Sequence, residues 1–150
     1  FFLGCGLDYA AALEASLKLK EISYIHSEAY AAGELKHGTI SLIEEGTLVV
    51  ALATQPALFE KTVSNIREVV ARGASVVLVT TDDFTGDELE LEMSRNESVC
   101  QHIVRLPKCL YEFSASLSII PMQLLAYYIA VERNCDVDKP RNLAKSVTVE

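Results

Sequence analysis

Apolar residues follow two patterns that alternate along this chain. Short continuous runs rich in Val, Ile, Leu and Phe predict strands buried on both faces, as in parallel sheets. These runs occupy residues 1–3, 47–53, 75–80 and 99–106. Longer segments with apolar residues every three or four positions predict helices at residues 8–24, 58–72 and 114–133. The alternation predicts a three-layer α/β domain with a mainly parallel sheet.

Several residues are expected to mark where these elements begin, end or bend. The turn Gly4-Cys5-Gly6 needs backbone freedom after the first strand, and Asp8 is expected to cap the next helix. Gly73 is expected to close the second helix, and Pro121 to kink or restart the last one. Ligands of such folds bind beyond the carboxyl ends of the strands. We therefore expect the glycine turn and the helix at 8–24 to lie near that edge.

The composition is that of a single domain over residues 1–150. Half of the residues are apolar, which suffices for one core. The net charge of −8 argues against nucleic-acid binding, since no basic stripe compensates for it. Four widely separated cysteines favour reduced thiols in the cytoplasm. The apolar run at 117–131 is interpreted as a buried helix, so neither a membrane span nor a targeting signal is expected.

Two further segments shape the interpretation. The chain opens on Phe1 without an initiator Met and already in strand-like sequence, so it is expected to be a piece of a longer protein that is not active by itself. Residues 82–96 are acidic and poor in aromatic residues, which predicts a surface loop or a short helix without chemistry.

The first predicted helix carries charges among its apolar positions. Glu14, Lys18 and Glu21 are spaced four and three residues apart, so their side chains can touch in sequence. Lys20 shares the clearly polar sector with Ser16 and Ser23 and is expected to be solvated. The three other charges fit two interpretations, an exposed ion-pair ladder of small energetic value or part of a functional site. The helix alone leaves both open.

The last residues, 136–150, have little helical periodicity. A frayed terminus is the ordinary expectation for the end of a domain. Val147 and Val149 alternate with polar residues, however, and Leu143-Ala144 offers an apolar anchor. These features favour a tail that docks on the domain.

Three long motifs in order carry a family resemblance, at residues 18–26, 32–38 and 138–150. They resemble the glutamine–fructose-6-phosphate aminotransferases, or glucosamine-6-phosphate synthases, over the whole chain. The resemblance implies a flavodoxin-like sugar isomerase domain, an α/β/α sandwich with a five-stranded, mainly parallel sheet. This chain is similar to the second, C-terminal copy, with 136–150 as its catalytic tail. The N-terminal glutaminase and the first sugar isomerase domain would be absent.

The resemblance also implies residue roles. Lys145 matches the lysine that forms a Schiff base with the open-chain ketose. Glu21 matches the base that moves a proton between C1 and C2, and Lys18 matches the neighbouring cation. His37 matches the histidine that assists ring opening in the neighbouring subunit, so a homodimer is implied. Substrate contacts are expected from Glu14 and from Ala144.

The implied reaction is L-glutamine plus D-fructose 6-phosphate giving D-glucosamine 6-phosphate plus L-glutamate, the entry step of hexosamine and UDP-N-acetylglucosamine synthesis. No cofactor or metal ion is expected. The phosphate-binding Ser and Thr cluster of the family lies in the absent first copy, so poor binding of sugar phosphate by residues 1–150 is expected. A noncatalytic sugar-phosphate sensor is the alternative, and an enzyme for another amino sugar is a third possibility.

The chain departs from the family pattern at three positions. Cys5 replaces a usual arginine and Ala10 a common proline, and Thr39 stands where proline normally follows the His37-Gly38 pair. Thr39 is expected to loosen the His37 loop, while Cys5 is interpreted as a small buried thiol.

Two other histidines receive structural interpretations. His26 and Glu28 can pair near the helix end, but a satisfied structural histidine is the favoured interpretation. His102 falls in a strand pattern and is given no role.

Overall fold

A computed structural model of the protein describes residues 1–82 and 100–142, with side chains from residue 102 in the second range. Its five-stranded sheet has the order β2-β1-β3-β4-β5 and every pairing is parallel. The strands are β1 (Phe2–Gly4), β2 (Ala29–Ala31), β3 (Leu48–Ala53), β4 (Ser75–Thr81) and β5 (Cys100–Leu106). The helices are α1 (Leu7–Ser23), α2 (Phe59–Val70) and α3 (Ser114–Glu132). This order is the flavodoxin-like one, which confirms the predicted α/β fold.

Alternating residues of the central strands fill the two sides of the sheet. Val49 and Ala51 of β3 belong to one core cluster together with Ile66 of α2. Val50 and Leu52 belong to a second cluster that includes residues of both α1 and α3. Successive side chains of a strand point to opposite faces, so α2 covers one face and α1 with α3 the other. The domain is thus a three-layer sandwich.

The buried face of α1 differs from its predicted face. Ser16 and Ser23 are buried, whereas Leu13 and Leu17 are 47% and 43% exposed. The serines tolerate burial because their hydroxyls are bonded: Ser16 Oγ lies 2.9 Å from Ser27 Oγ, and Ser23 Oγ donates to the Leu19 carbonyl. The prediction of a solvated polar sector is therefore wrong for the serines. Lys20 is exposed, as predicted.

The last helix, α3, is not the buried helix that its composition predicted. It buries a single stripe, made by Ser114, Ser118, Met122, Ala126 and Ala130. Large apolar side chains remain exposed on the other side, namely Ile120, Leu124, Tyr127, Tyr128 and Val131. With the preceding turn, Tyr111–Glu132 has the length and hydropathy of a membrane span, contrary to expectation, and 28% of that apolar window is buried. Met122 and Ala126 of this stripe share a core cluster with alanines of α1.

Two predicted helix boundaries are corrected. Asp8 lies inside α1, whose N-cap is Gly6, and makes no capping bond because its carboxylate is used elsewhere. Gly73 lies beyond the C-cap Ala71 of α2. It has φ +89°, and a Cβ there would meet the backbone of Glu45 at 2.9 Å. The helix α3 continues through Pro121 without restarting.

Candidate active site

The orientation of α1 decides where its charges lie. The helix begins just after the carboxyl end of β1 and runs back across the sheet. Near its end, Leu19 shares a cavity of about 230 Å³ with Phe1, Thr47 and Leu48, which stand at the starts of β1 and β3. The last turns of α1 therefore lie at the amino edge of the sheet. The expectation that the lysine-bearing part of this helix lies at the carboxyl edge is wrong; only the Gly4–Gly6 turn lies there.

The three charged residues of α1 form one contact group. Lys18 Nζ lies 2.7 Å from Glu21 Oε2 and 3.5 Å from Glu14 Oε1. The side chains are 34%, 35% and 43% exposed for Lys18, Glu21 and Glu14. The hydrogen bond to Glu21 is the main cause that raises the pKa of Lys18. The group thus presents a fixed cation beside a solvent-accessible carboxylate, which can exchange a proton with a bound molecule.

The start of the tail lies against the end of α1. The backbone N–H of Arg141 donates to Tyr24 Oη over 2.9 Å, and the Arg141 guanidinium lies 3.9 Å from the centroid of the Tyr24 ring. Pro140 is buried. Pro140 and Arg141 therefore contact the domain, and docking of the rest of the tail stays a prediction. Lys145 and Ala144 lie outside the described residues, as do Leu143, Val147 and Val149.

His37 lies on the opposite side of the domain from Glu21. The segment after β2 reaches the carboxyl edge, where the N–H of Ala32 donates to the Gly4 carbonyl over 3.0 Å. His37 is exposed and ends a short helical turn that is held by the buried side chain of Leu35. Within one chain, therefore, the structure brings Glu14, Lys18 and Glu21 together and leaves His37 apart from them.

Thr39 spans the turn that presents His37. Its hydroxyl donates to the Leu35 carbonyl over 3.3 Å. This bond closes the turn across His37 at the position where the family usually has proline. The effect of Thr39 on the mobility of the loop stays a prediction.

A second polar group lies at the start of β2. His26 Nε2 is 3.3 Å from Glu28 Oε1, so the pair that the sequence allowed is present, and His26 is 82% exposed. The sequence interpretation missed Tyr30, whose hydroxyl donates to Glu28 Oε2. This hydrogen bond is the main cause that lowers the pKa of Glu28 and raises that of Tyr30. The sequence feature that could have predicted this hydrogen bond is the separation of Glu28 and Tyr30 by two positions, because residues two apart lie on the same face of a strand.

The carboxyl edge near the glycine turn is occupied by the protein itself. Asp8 accepts hydrogen bonds from the N–H and the hydroxyl of Thr54 over 2.8 and 2.5 Å. Gln55 Nε2 donates to the Cys5 carbonyl over 2.5 Å. Burial is the main cause that raises the pKa of Asp8. These bonds, carried by the polar pair that follows β3, fill the place where a ligand was expected, and Cys5 is buried as predicted.

No group of three His, Cys, Asp or Glu residues suited to a metal ion occurs within residues 1–82 and 100–142. The acidic pair on α1 is bridged by an ammonium group, which competes with a cation for the same carboxylates.

These features define a class of protein: a doubly wound, all-parallel α/β domain whose first helix carries a carboxylate–ammonium pair. The model of the SIS domain family matches residues 1–133. The chain therefore belongs to the SIS domain family.

Two comparisons relate the chain to longer proteins. It is 61% identical over its full length to a glutamine–fructose-6-phosphate aminotransferase (isomerizing) from Caldanaerobacter subterraneus, and it spans 23% of that relative. A solved structure, the C-terminal domain of glucosamine-fructose-6-phosphate aminotransferase from Francisella tularensis, is 40% identical with a TM-score of 0.75. That alignment covers 93% of this chain and 37% of the other.

The fold also resembles that of a glucosamine-6-phosphate deaminase from Thermotoga maritima, at 29% identity and a TM-score of 0.66. The alignment covers 95% of this chain and 38% of the deaminase chain. The same fold thus occurs in a protein named for a different reaction of an amino sugar phosphate.

Proposed function

We propose that this chain is the second, C-terminal sugar isomerase domain of a cytoplasmic glutamine–fructose-6-phosphate aminotransferase, which forms D-glucosamine 6-phosphate from D-fructose 6-phosphate and glutamine-derived ammonia. The observation that carries the proposal is the meeting, at one end of α1, of the Lys18–Glu21 contact and the docked start of the tail. The 61% identity to an enzyme of that name supports the same reading.

The chemistry follows from the groups on α1. Moving a proton between C1 and C2 of a ketose or its imine needs a carboxylate close to the carbon acid, and such help contributes about 10²–10⁴-fold. Glu21 supplies that carboxylate. Lys18, held 2.7 Å away and kept protonated by this contact, stabilises the negative charge that develops on the substrate oxygen. Glu14 holds the other side of Lys18 and contacts the substrate.

Lys145 is the proposed nucleophile. Its neutral amine adds to the open-chain carbonyl of the ketose, and the adduct loses water to give a Schiff base. The Schiff base makes the neighbouring carbon more acidic, so that Glu21 can remove its proton. Cations beside an amine lower its pKa. Lys18 and Arg141 are therefore suited to keep Lys145 deprotonated when the tail approaches, and Ala144 contacts the substrate next to it.

His37 serves a second copy of the chain. Because the segment that carries it follows the carboxyl end of β2 while Glu21 lies near the amino edge of the sheet, we assign its ring-opening role to a different substrate molecule. In a homodimer it reaches the partner's substrate instead. Each active site then takes Glu21 and Lys18 from one subunit and His37 from the other.

The rest of the enzyme covers the apolar helices. The exposed side chains of Leu13, Leu17, Leu124 and Tyr128 make a surface that isolated soluble domains rarely leave open. The chain spans 23% of its curated relatives, so a first sugar isomerase domain and a glutaminase domain are available as neighbours. The phosphate-binding residues are assigned to that first domain, so residues 1–150 alone should bind fructose 6-phosphate with a Kd near or above 1 mM, about −4 kcal/mol.

The test is borohydride trapping in the full-length enzyme that carries this sequence. Incubation with fructose 6-phosphate and reduction should attach the sugar to Lys145, found by peptide mass spectrometry. Lys145→Ala should abolish trapping, and Lys139→Ala, a change of the same kind in the same tail, should not. Trapping that survives Lys145→Ala would refute the assignment. Tight binding of sugar phosphate without trapping would identify a noncatalytic sensor instead, and release of ammonia from glucosamine 6-phosphate without glutamine-dependent synthesis would identify a deaminase.

A further inference from the structure

We infer that Tyr24 and Arg141 are positioning residues: together they form a clamp that fixes the point from which the last residues of the chain leave the domain. The inference rests on the proposed role of Lys145 and deepens it. Neither residue touches the substrate in this scheme. The clamp acts by limiting how far the nucleophile can stray from Glu21.

Tyr24 holds Arg141 through two different contacts. Its hydroxyl accepts the backbone N–H of Arg141 over 2.9 Å, while its ring lies 3.9 Å from the guanidinium carbon. A cation over an aromatic face contributes about 0.5–1 kcal/mol at an exposed site. The hydrogen bond fixes the main chain and the ring contact fixes the side chain. Residues that are 117 positions apart in sequence are thus joined at one point.

The backbone conformation of Tyr24 is unusual for a residue with a large side chain. Tyr24 is the C-cap of α1 with φ 60° and ψ 19°, a left-handed conformation. Glycine or asparagine is the usual residue at such a position, because a bulky side chain there is strained. A helix end requires the conformation, but it does not require tyrosine. The contact with Arg141 gives the reason for an aromatic hydroxyl at this place.

The path from α3 to the clamp is also fixed. Cys135 Sγ lies 3.9 Å from the Ser23 carbonyl, one residue before Tyr24. Asp136 Oδ1 accepts the backbone N–H groups of Asp138 and Lys139 over 3.0 and 2.9 Å, which closes a turn. Pro140, next to the clamp, is buried. The segment therefore ends in a defined position.

Chain geometry converts this anchor into a limit on Lys145. A residue spans at most about 3.6 Å, so the Cα of Lys145 stays within roughly 14 Å of the Cα of Arg141. Glu21 precedes Tyr24 by three helical residues, or about 4.5 Å along the axis. If the clamp opens and both Pro140 and the turn at residues 136–139 are released, the nearest anchor becomes Cys135, ten residues before Lys145 instead of four. Effective concentration falls as about the −3/2 power of tether length, which predicts a loss of about 4-fold.

The experiment uses the full-length enzyme and variants that separate the two contacts. Tyr24→Phe removes the hydrogen-bond acceptor and keeps the ring, and Arg141→Ala removes the cation and keeps the N–H. Each should slow borohydride trapping at Lys145 and lower kcat, by up to about 4-fold, the loss on full release. The KM for fructose 6-phosphate and glutamine hydrolysis measured separately should stay unchanged. Arg141→Lys, which keeps a cation, should recover part of the loss, and Arg133→Ala, at an exposed arginine, is the control.

A second readout does not depend on catalysis. Trypsin can cut after Arg141, whereas Lys139 is followed by Pro140, which blocks cutting there. The clamp should protect the bond after Arg141 from trypsin. In Tyr24→Phe, trypsin should therefore cut after Arg141 faster, relative to its cutting after Lys145, without a change in melting temperature. Normal trapping and normal cutting in Tyr24→Phe would overturn the clamp while leaving Lys145 intact as nucleophile. Trapping that survives Lys145→Ala would instead overturn the proposed function, and cutting would still decide whether the clamp exists.

Discussion

Glu21 and His37 lie at opposite edges of one parallel sheet, although only sixteen positions separate them in sequence. Helix α1 runs back to the amino edge before it presents Glu21, and β2 then crosses to the carboxyl edge before the turn that carries His37. Under the proposed function, a single chain then contributes to two different sites. This division of the proposed sites between two subunits can be tested by co-expressing two variants.

Mixed dimers should recover activity that neither variant has. With Glu21→Gln on one subunit and His37→Ala on the other, a heterodimer contains one site with both native groups and one site with neither. Random pairing makes half of the dimers mixed, so co-expression should restore about a quarter of the wild-type rate. The rate of glucosamine 6-phosphate formation is measured at steady state for the co-expressed mixture and for each variant purified separately. No recovery in verified heterodimers would place both residues at the same subunit's substrate.

Glu21→Gln should lower isomerisation and synthesis by about 10²–10⁴-fold, the usual contribution of a positioned general base. The fold should persist, because Glu21 is 35% exposed and the amide can still accept from Lys18. Glu14→Gln is the matched control on the other side of Lys18, where the distance is 3.5 Å, and a smaller loss is expected. The measurement is exchange of the C1 proton of fructose 6-phosphate in deuterated water. Equal losses for the two variants would contradict the distinct role of Glu21.

Because of Asp8, the free energy of unfolding should fall as the pH rises just above pH 3.8. Burial raises its pKa in the folded protein from the ordinary value of 3.8. Between the two pKa values the folded state binds more protons than the unfolded state, so stability falls as pH rises through this window and then levels off. Urea titrations of residues 1–150 at several pH values measure the slope.

The control for that slope is a pair of substitutions. Asp8→Asn should remove the decline, even if it loses one of the two bonds from Thr54 and lowers stability throughout. Asp138→Asn changes an exposed aspartate and should leave the decline in place. A decline that persists in Asp8→Asn would assign it to other carboxyls.

The isolated domain should associate through its apolar helices. Leu124 is 50% exposed beside Tyr127 and Tyr128, so residues 1–150 without their neighbours should form dimers or larger species at micromolar concentration. Leu124→Glu should shift sedimentation towards the monomer. Leu42→Glu, which alters a leucine that is 54% exposed outside these helices, should not. Monomeric wild-type protein at high concentration would contradict the expectation.

Periodicity predicted the strands and helices well where the signal was long. It located β3, β4 and α2 within a few residues, because continuous β-branched runs and a strong 3.6-residue repeat have few alternative structures. It missed β2, a three-residue edge strand that the charged motif at 18–38 conceals. Short strands are stabilised by pairing with a neighbour, which a local pattern does not contain.

The side chains of α1 were predicted less well because burial was inferred from polarity. Ser16 and Ser23 are buried although they are polar, because their hydroxyls form hydrogen bonds with Ser27 and with the helix itself. Leu13 and Leu17 are exposed in residues 1–150, and the proposed assembly would cover them. The contacts of Lys18 with both glutamates were predictable, since spacing of three or four on a helix suffices.

The hydrogen bonds between Asp8 and Thr54 have a consequence for the far end of the helix. Asp8 and Glu21 stand on one uninterrupted helix, thirteen residues or about 20 Å apart along its axis. Because a helix of this length moves nearly as a rigid rod, the depth to which Asp8 seats against β3 sets the axial position of Glu21. The alignment of Glu21, the proposed proton-transfer carboxylate, thus depends on two hydrogen bonds at the other end of its helix.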